Sequence, residues 1–385
     1  MIEMKPIPYG RQEINEEDIK AVVDVLKSDF LTQGPKVEEF ESEFAKYVGS
    51  KYAISVSNGT AALHLSALAL GVKKGTKIIT TPLSFVATSN CIEYCGGEVE
   101  FCDINPDTLC LDIGLLRGKL ENAPKGTYSG IIPVDFAGYP VNMEEFRDLA
   151  NEYNLWILED SCHAPGGCFI DSKKQIQKCG NGNYADLAIF SFHPVKHIAC
   201  GEGGMITTNN NHLYEKLLFL RSHGITKDPK KTNQYPGNWY YEMQLLGFNY
   251  RLSDIQCALG ISQLNRSQIN LKKRRNIAET YNKAFQKLSF DIPKQNYFEG
   301  HAFHLYIILT DRRQELYNFL KTKLIFAQIH YIPIHTMPYY KEKYGYQIFN
   351  NAEIYYEKCL SLPLYPSMSD SEIDYVINQV KIFFE

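Results

Sequence analysis

The chain has 385 residues, 44% hydrophobic and 22% charged, with a formal net charge of −4. That length exceeds what one small core organises and predicts two domains in an ordinary globular composition. The charge balance gives no electrostatic basis for nucleic acid or an anionic membrane as main partner, and no apolar run approaches the roughly eighteen residues a membrane span needs.

In chain order, residues 1–15 read as an extended arm carrying Pro6 and Pro8, with no basic region followed by an apolar one. A cytoplasmic location is therefore expected. Asn15-Glu-Glu-Asp18 supplies a cap and an acidic first turn for a helix. From residue 16 to 245 helical stretches alternate with short apolar strands, clearest at Lys77–Thr80, Glu98–Phe101, Gly130–Val134 and Leu155–Leu158. This is the rhythm of a mostly parallel, helix-covered α/β sheet. Gly204–Thr208 is expected to pair beside the strand that carries Ser191, and 226–240 is a polar, turn-rich loop. Residues 246–385 read as a smaller α+β domain. It opens with a long helix after Ser253, runs through the basic stretch Lys272-Lys-Arg-Arg275, taken as a solvated face, and holds strands at His304–Leu309 and Ala327–Tyr331.

Ten cysteines are scattered without a C-x-x-C pair, which predicts buried free thiols in a reducing compartment. His193 and His197 have the i, i+4 spacing of a helical metal pair, but Pro194 lies between them and no acidic ligand follows in frame, so no metal is expected. A hydrolase dyad of Asp160 and His163 lacks a G-x-S-x-G elbow, and Gly201-Glu-Gly-Gly204 is neither a phosphate loop of the Walker type nor a dinucleotide fingerprint.

Three segments carry chemistry. The strand-like Leu187–Phe192 runs into His193-Pro-Val-Lys196 and a glycine turn, which sets one lysine where lost hydration lowers its pKa toward that of a nucleophile. Leu155–Leu158 ends in Glu159-Asp160, a carboxylate at the carboxyl end of a strand, where open α/β sheets bind ligands. A strand-end aspartate and a Schiff-base lysine are the two partners that pyridoxal 5'-phosphate needs, one for its ring nitrogen and one for its aldehyde. Ser57-Asn-Gly-Thr-Ala61 opens an apolar helix, so the Thr60 hydroxyl and Ala61 amide are natural phosphate donors, with plain capping by Asn58 as the alternative. Phe85 sits at a strand-to-helix turn, as a core residue or as a ring stacked on a planar cofactor.

S-F-H-x-x-K-x-x-x-x-G-E-G-G, E-D-x-x-H-A, S-N-G-T-A-A-L, L-T-Q-G-P and G-F-N-Y-R-L-S-D-I-Q together resemble the DegT-type nucleotide-sugar aminotransferases, over nearly the whole length. The wording T-T-P-L-S-F-V-A-T-S-N, S-F-H-P-V-K and R-S-H-G-I is similar to the branch serving pseudaminic acid biosynthesis. The resemblance implies an α/β protein of the aspartate aminotransferase fold (fold type I), with a large domain of mostly parallel sheet and a smaller C-terminal one. It implies pyridoxal 5'-phosphate bound through Lys196, with Asp160 on the pyridinium nitrogen, His163 near the phenolic oxygen and Phe85 over one ring face. Thr60, Ala61 and Ser191 would hold the phosphate, joined by Asn249 from a second subunit, so that a homodimer shares its sites. Tyr9, Leu31, Thr32, His330 and Tyr331 would contact the sugar nucleotide. The implied reaction takes an amino group from L-glutamate to C4 of a UDP-4-keto-6-deoxy-N-acetylhexosamine. The D-xylo sugar, another deoxysugar, a dehydratase and a non-catalytic protein on the same fold are the alternatives; the dehydratase branch has histidine where Lys196 stands.

Overall fold

In the computed structural model, which describes residues 5–293 and 298–385, seven strands form one sheet. Their spatial order is Tyr52–Val56, Gly204–Thr208, Leu187–Ser191, Trp156–Asp160, Gly130–Ile132, Lys77–Thr80 and Glu98–Phe101. Gly204–Thr208 runs antiparallel to both neighbours, as expected for its return beside Ser191, and every other pairing is parallel. The mixed, mostly parallel sheet with helices around it is the architecture anticipated from the sequence. Its strands are short continuous apolar runs because both faces are buried. Ile79, Ile131 and Ile157 enter one core, while their neighbours Ile78, Ile132 and Leu158 enter the other.

A further core gathers Tyr281, Phe285, Tyr306, Leu320, Leu360 and Val376, and Ile7 joins it from the N-terminal arm. Ile7–Pro8 pairs in parallel with Ile325–Phe326, so the described part of the arm, from residue 5, is tied to the C-terminal part of the chain. Tyr306–Leu309 pairs antiparallel with Cys359–Leu362. The helix Asp254–Asn265 packs on the helices Glu16–Leu26 and Pro35–Val48, and Leu252 and Cys257 share a core with Phe190 and Phe192. We therefore propose that the second unit begins near Arg266 instead of at 246. Among the described residues no helix is long and apolar enough to cross a membrane.

Two expectations are corrected. Ala327–Tyr331 is not a strand: only Gln328 bridges, to Ser361, and His330 and Tyr331 instead line a cavity. The basic run is not wholly a solvated face. It lies on the helix Ser267–Phe285, where Lys272 and Lys273 are exposed but Arg274 is buried at 2% exposure. The three-residue offset from Leu271 to Arg274 puts the arginine on the apolar stripe with Ala278 and Tyr281.

One buried carboxylate connects distant parts of this frame. The helix Pro35–Val48 has glycine at its N-cap, and Asp254 supplies the missing acceptors, taking the Gly34 amide at 2.8 Å and the Lys36 amide at 3.0 Å. A Cβ on Gly34 would lie 2.6 Å from that carboxylate and 2.4 Å from Phe30 Cβ, so the glycine is what lets the two segments close. Asp254→Ala orphans both amides and is expected to cost about 2–3 kcal/mol in urea unfolding. A loss below about 0.5 kcal/mol would remove the cap from this account.

Candidate active site

The carboxyl ends of Trp156–Asp160 and Leu187–Ser191 open into a cavity of about 700 Å³. Its wall includes Tyr9, Thr60, Ala61, Phe85, Asp160, His163, Ser191, Lys196, His330 and Tyr331, all singled out from the sequence and spread over more than three hundred residues of chain. Leu31, Thr32 and Asn249 are not on that wall. All three are exposed: Leu31 and Thr32 lie against the start of the helix Asp254–Asn265, and Asn249 bridges to Ser222.

Asp160 is 4% exposed. Thr88 Oγ1 donates to its Oδ2 at 2.7 Å and the Cys162 amide to its Oδ1 at 3.2 Å, so the carboxylate is held from two sides in one orientation. Thr88, on the helix Ala87–Tyr94, is itself fixed by Ser84 in the preceding bend, 2.8 Å away. Both lie in the Thr80–Thr88 stretch of the sequence.

Lys196 retains some surface, which opens into the cavity, but protein surrounds its amine, and burial holds its pKa down at about 8. Among the described residues no carboxylate pairs with it; its one hydrogen-bond neighbour is His304, with Nζ 3.5 Å from Nε2. His163 accepts the Ala137 amide at Nδ1 (3.2 Å), which places its proton on Nε2, 3.2 Å from Tyr331 Oη. Burial, then the charge of Lys196, keeps this imidazole neutral by pushing its pKa well below the ordinary value. Tyr9 packs against His330 at 4.9 Å between ring centroids, and Phe85, 56% exposed, stands 6.1 Å from Tyr331.

The helix Gly59–Ala69 begins at the same cavity. The Ala61 amide is taken by Asn58 Oδ1 at 2.8 Å, so capping and ligand cradle coexist here: Ala61 is engaged, while the first amides, of Gly59 and Thr60, have no intrahelical partner. A Cβ on Gly59 would lie 2.9 Å from Ser191 Cβ, and one on Gly204 would lie 2.5 Å from the Asn58 carbonyl oxygen. The two glycines thus bring the helix start against the Ser191 hydroxyl. A phosphate fits where these donors converge, and a ring nitrogen fits at Asp160.

Beneath Asp160 lies a group that the sequence reading missed. Asp135, Glu159 and Cys179 are buried with their polar atoms within 4.8 Å of one another. Asp135 accepts the Val141 amide (2.9 Å) and the Ser161 hydroxyl (2.8 Å), and both oxygens of Glu159 face the Gly180 amide at 3.1 Å. Alternation along the strand sends Glu159 to the face opposite Asp160. Burial raises both carboxyls, Asp135 to about 6. A carboxyl whose folded pKa is raised favours the fold below its unfolded value near 3.8, and that contribution is lost as pH climbs through 6. Asp135→Asn is therefore expected to gain stability relative to the parent between pH 4.5 and pH 7.5, followed by urea unfolding at both. Parallel pH dependence of the two proteins would contradict the buried-proton account.

A profile of the DegT/DnrJ/EryC1/StrS aminotransferase family matches residues 12–381. The chain is 38% identical to the spore coat polysaccharide biosynthesis protein SpsC of Bacillus subtilis, over 97% of this chain and 96% of that one. It is also 38% identical to a UDP-4-amino-4,6-dideoxy-N-acetyl-beta-L-altrosamine transaminase of Campylobacter jejuni, over 96% and 95%. Among solved structures, Helicobacter pylori PseC, an aminotransferase involved in pseudaminic acid biosynthesis, superposes with a TM-score of 0.88 at 31% identity, over 99% of each chain.

Proposed function

The chain belongs to the DegT/DnrJ/EryC1/StrS aminotransferase family and is a pyridoxal-phosphate-dependent sugar aminotransferase; we propose that it transfers the amino group of L-glutamate to C4 of a UDP-4-keto-6-deoxy-N-acetylhexosamine of L-arabino configuration, a step of pseudaminic acid biosynthesis. The observation that carries the reading is the convergence of the Lys196 amine and the oriented Asp160 carboxylate on one cavity. The names of the Campylobacter and Helicobacter relatives support the choice of sugar.

When bound, the cofactor supplies an electron sink for the carbon that loses a proton. Asp160, steered by Thr88 and the Cys162 amide, accepts a hydrogen bond from the ring nitrogen and favours its protonated form. Thr60, Ser191 and the first amides of the helix Gly59–Ala69 hold the phosphate; Ala61 belongs to that turn, with its own amide kept by Asn58. His163 donates from Nε2 toward the phenolic oxygen, and Phe85 covers one ring face. Lys196, with a pKa near 8, binds the cofactor and carries a proton at Nζ to and from the amino-acid Cα. Tyr9, His330 and Tyr331 line the sugar side.

Function as a homodimer is part of the proposal. Asn249 is exposed, near a surface that carries Trp239 (72% exposed), Met243 (64%) and Leu246 (77%), apolar area that a second copy would cover. Asn249 then reaches the partner's phosphate site, and Leu31 and Thr32 meet the nucleotide at its rim.

Two assays test this reading. Lys196→Ala is expected to abolish turnover while the protein still binds cofactor without a covalent bond, and full activity would overturn the assignment. Offered glutamate and the two UDP-4-keto-6-deoxy-N-acetylhexosamines that differ at C5, the enzyme should release 2-oxoglutarate with the L-arabino sugar. Preference for the D-xylo sugar would move it to a bacillosamine-type pathway with the lysine chemistry unchanged.

A further inference from the structure

We propose that His304 is a positioning residue for Lys196: its imidazole N–H holds the lysine amine toward the cavity, and the buried Arg274 guanidinium fixes the loop that presents it. The inference rests on the reading of Lys196 as the cofactor-binding lysine.

His304 is 5% exposed, and its Nε2 lies 3.5 Å from Lys196 Nζ. Its Nδ1 is buried and has no hydrogen-bond partner among the described residues. An orphaned N–H is the more costly defect, so the proton belongs on Nε2 and Nδ1 is the bare acceptor. In that tautomer the ring is a donor, and the only favourable partner it can find in Lys196 is the lone pair of the neutral amine. The neighbouring imidazoles are uncharged as well. The His163 ring centroid lies 4.3 Å from that of His304, with the planes tilted by 37°, His197 stands 5.9 Å away, and burial keeps all three imidazoles uncharged. A residue serving only to fill space here would do so at lower cost as an apolar ring.

The loop is pinned from several sides. Arg274 donates to the carbonyl oxygens of Phe303 (3.3 Å), His304 (3.4 Å) and Leu364 (3.1 Å), and no carboxylate among the described residues pairs with it. A guanidinium spent on carbonyls without a counter-ion is a poor source of stability and a good clamp. The Phe303 amide donates to His301 Nδ1 at 2.8 Å, and the Ala302 and Leu305 amides donate to the Gly138 and Ala137 carbonyls. Phe303 itself adopts φ of +50°, a left-handed conformation that this many restraints maintain. Gly138 closes the arrangement: a Cβ there would lie 2.9 Å from the His304 amide, the Phe303 amide and the His163 carbonyl oxygen.

The test uses full-length protein freed of cofactor: parent, His304→Phe, His304→Leu, His304→Gln and Lys196→Ala. Each is mixed with pyridoxal phosphate at pH 9, above the Lys196 pKa of about 8, where the amine is neutral, and covalent capture is followed by stopped-flow absorbance beside a melting curve. The apolar variants are expected to capture about tenfold more slowly, the worth of one hydrogen bond at a reacting group, and glutamine, which keeps an N–H donor, to stay within about threefold of the parent. A folded apolar variant at the parental rate, or glutamine as slow as phenylalanine, overturns the proposal. Nitrogen-15 spectra of histidine-labelled, cofactor-free parent at pH 9, where Lys196 is neutral, give a reading that needs no variant to fold, with the His304 proton expected on Nε2; a proton on Nδ1 contradicts it. Capture that survives Lys196→Ala would sink the reading of Lys196 itself, whereas loss there with normal His304 variants sinks this inference alone.

Discussion

The rest of the structure depends on taking one amine out of water at a strand end with no paired carboxylate among the described residues. Lys196 follows Ser191 by five residues, and its amine meets an imidazole where a surface lysine would meet solvent or a carboxylate. The penalty of that burial is what lowers its pKa to about 8 and makes the neutral amine available. Stability has to come from elsewhere, and it comes from a sheet with apolar cores on both faces and from helix ends capped across long sequence distances, as Asp254 caps the helix at Pro35.

The polar groups around the site divide by face. On the cavity side, Asp160 is fed by donors, Thr88 and the Cys162 amide, which keep a carboxylate oriented for a cationic partner. On the other side, one residue away along the strand, Glu159 and Asp135 form a buried acid pair whose pKa values rise. Strand alternation separates two carboxylates that would otherwise compete for one environment. The arginine at 274 completes the pattern, a buried cation used on backbone carbonyls near the lysine it helps to place.

The sheet was legible because both-face burial writes itself as short apolar runs, and Lys77–Thr80 and Glu98–Phe101 begin and end where the sequence pattern does. The lysine, the strand-end aspartate and the glycine turn before the helix were legible because backbone geometry dictates those residue types locally. What failed to show were long-range matters. Arg274 reads as surface inside a basic run, and only the packing of its helix tells which of the four cations is buried. His304 reads as the first residue of a strand, and its place beside Lys196, 108 positions earlier, is set by a loop pinned by Arg274 and by the Ala137 and Gly138 carbonyls. Ala327–Tyr331 has strand-like composition, yet tertiary contacts draw it into the cavity wall. Leu31, Thr32 and Asn249 are exposed in the chain and stand off the cavity wall.

The most direct measurement of the central claim is borohydride reduction of the purified enzyme, followed by proteolysis and peptide mass determination. The account predicts a single phosphopyridoxyl group, carried by Lys196. A label on another lysine, or none on protein that retains its cofactor, would contradict it.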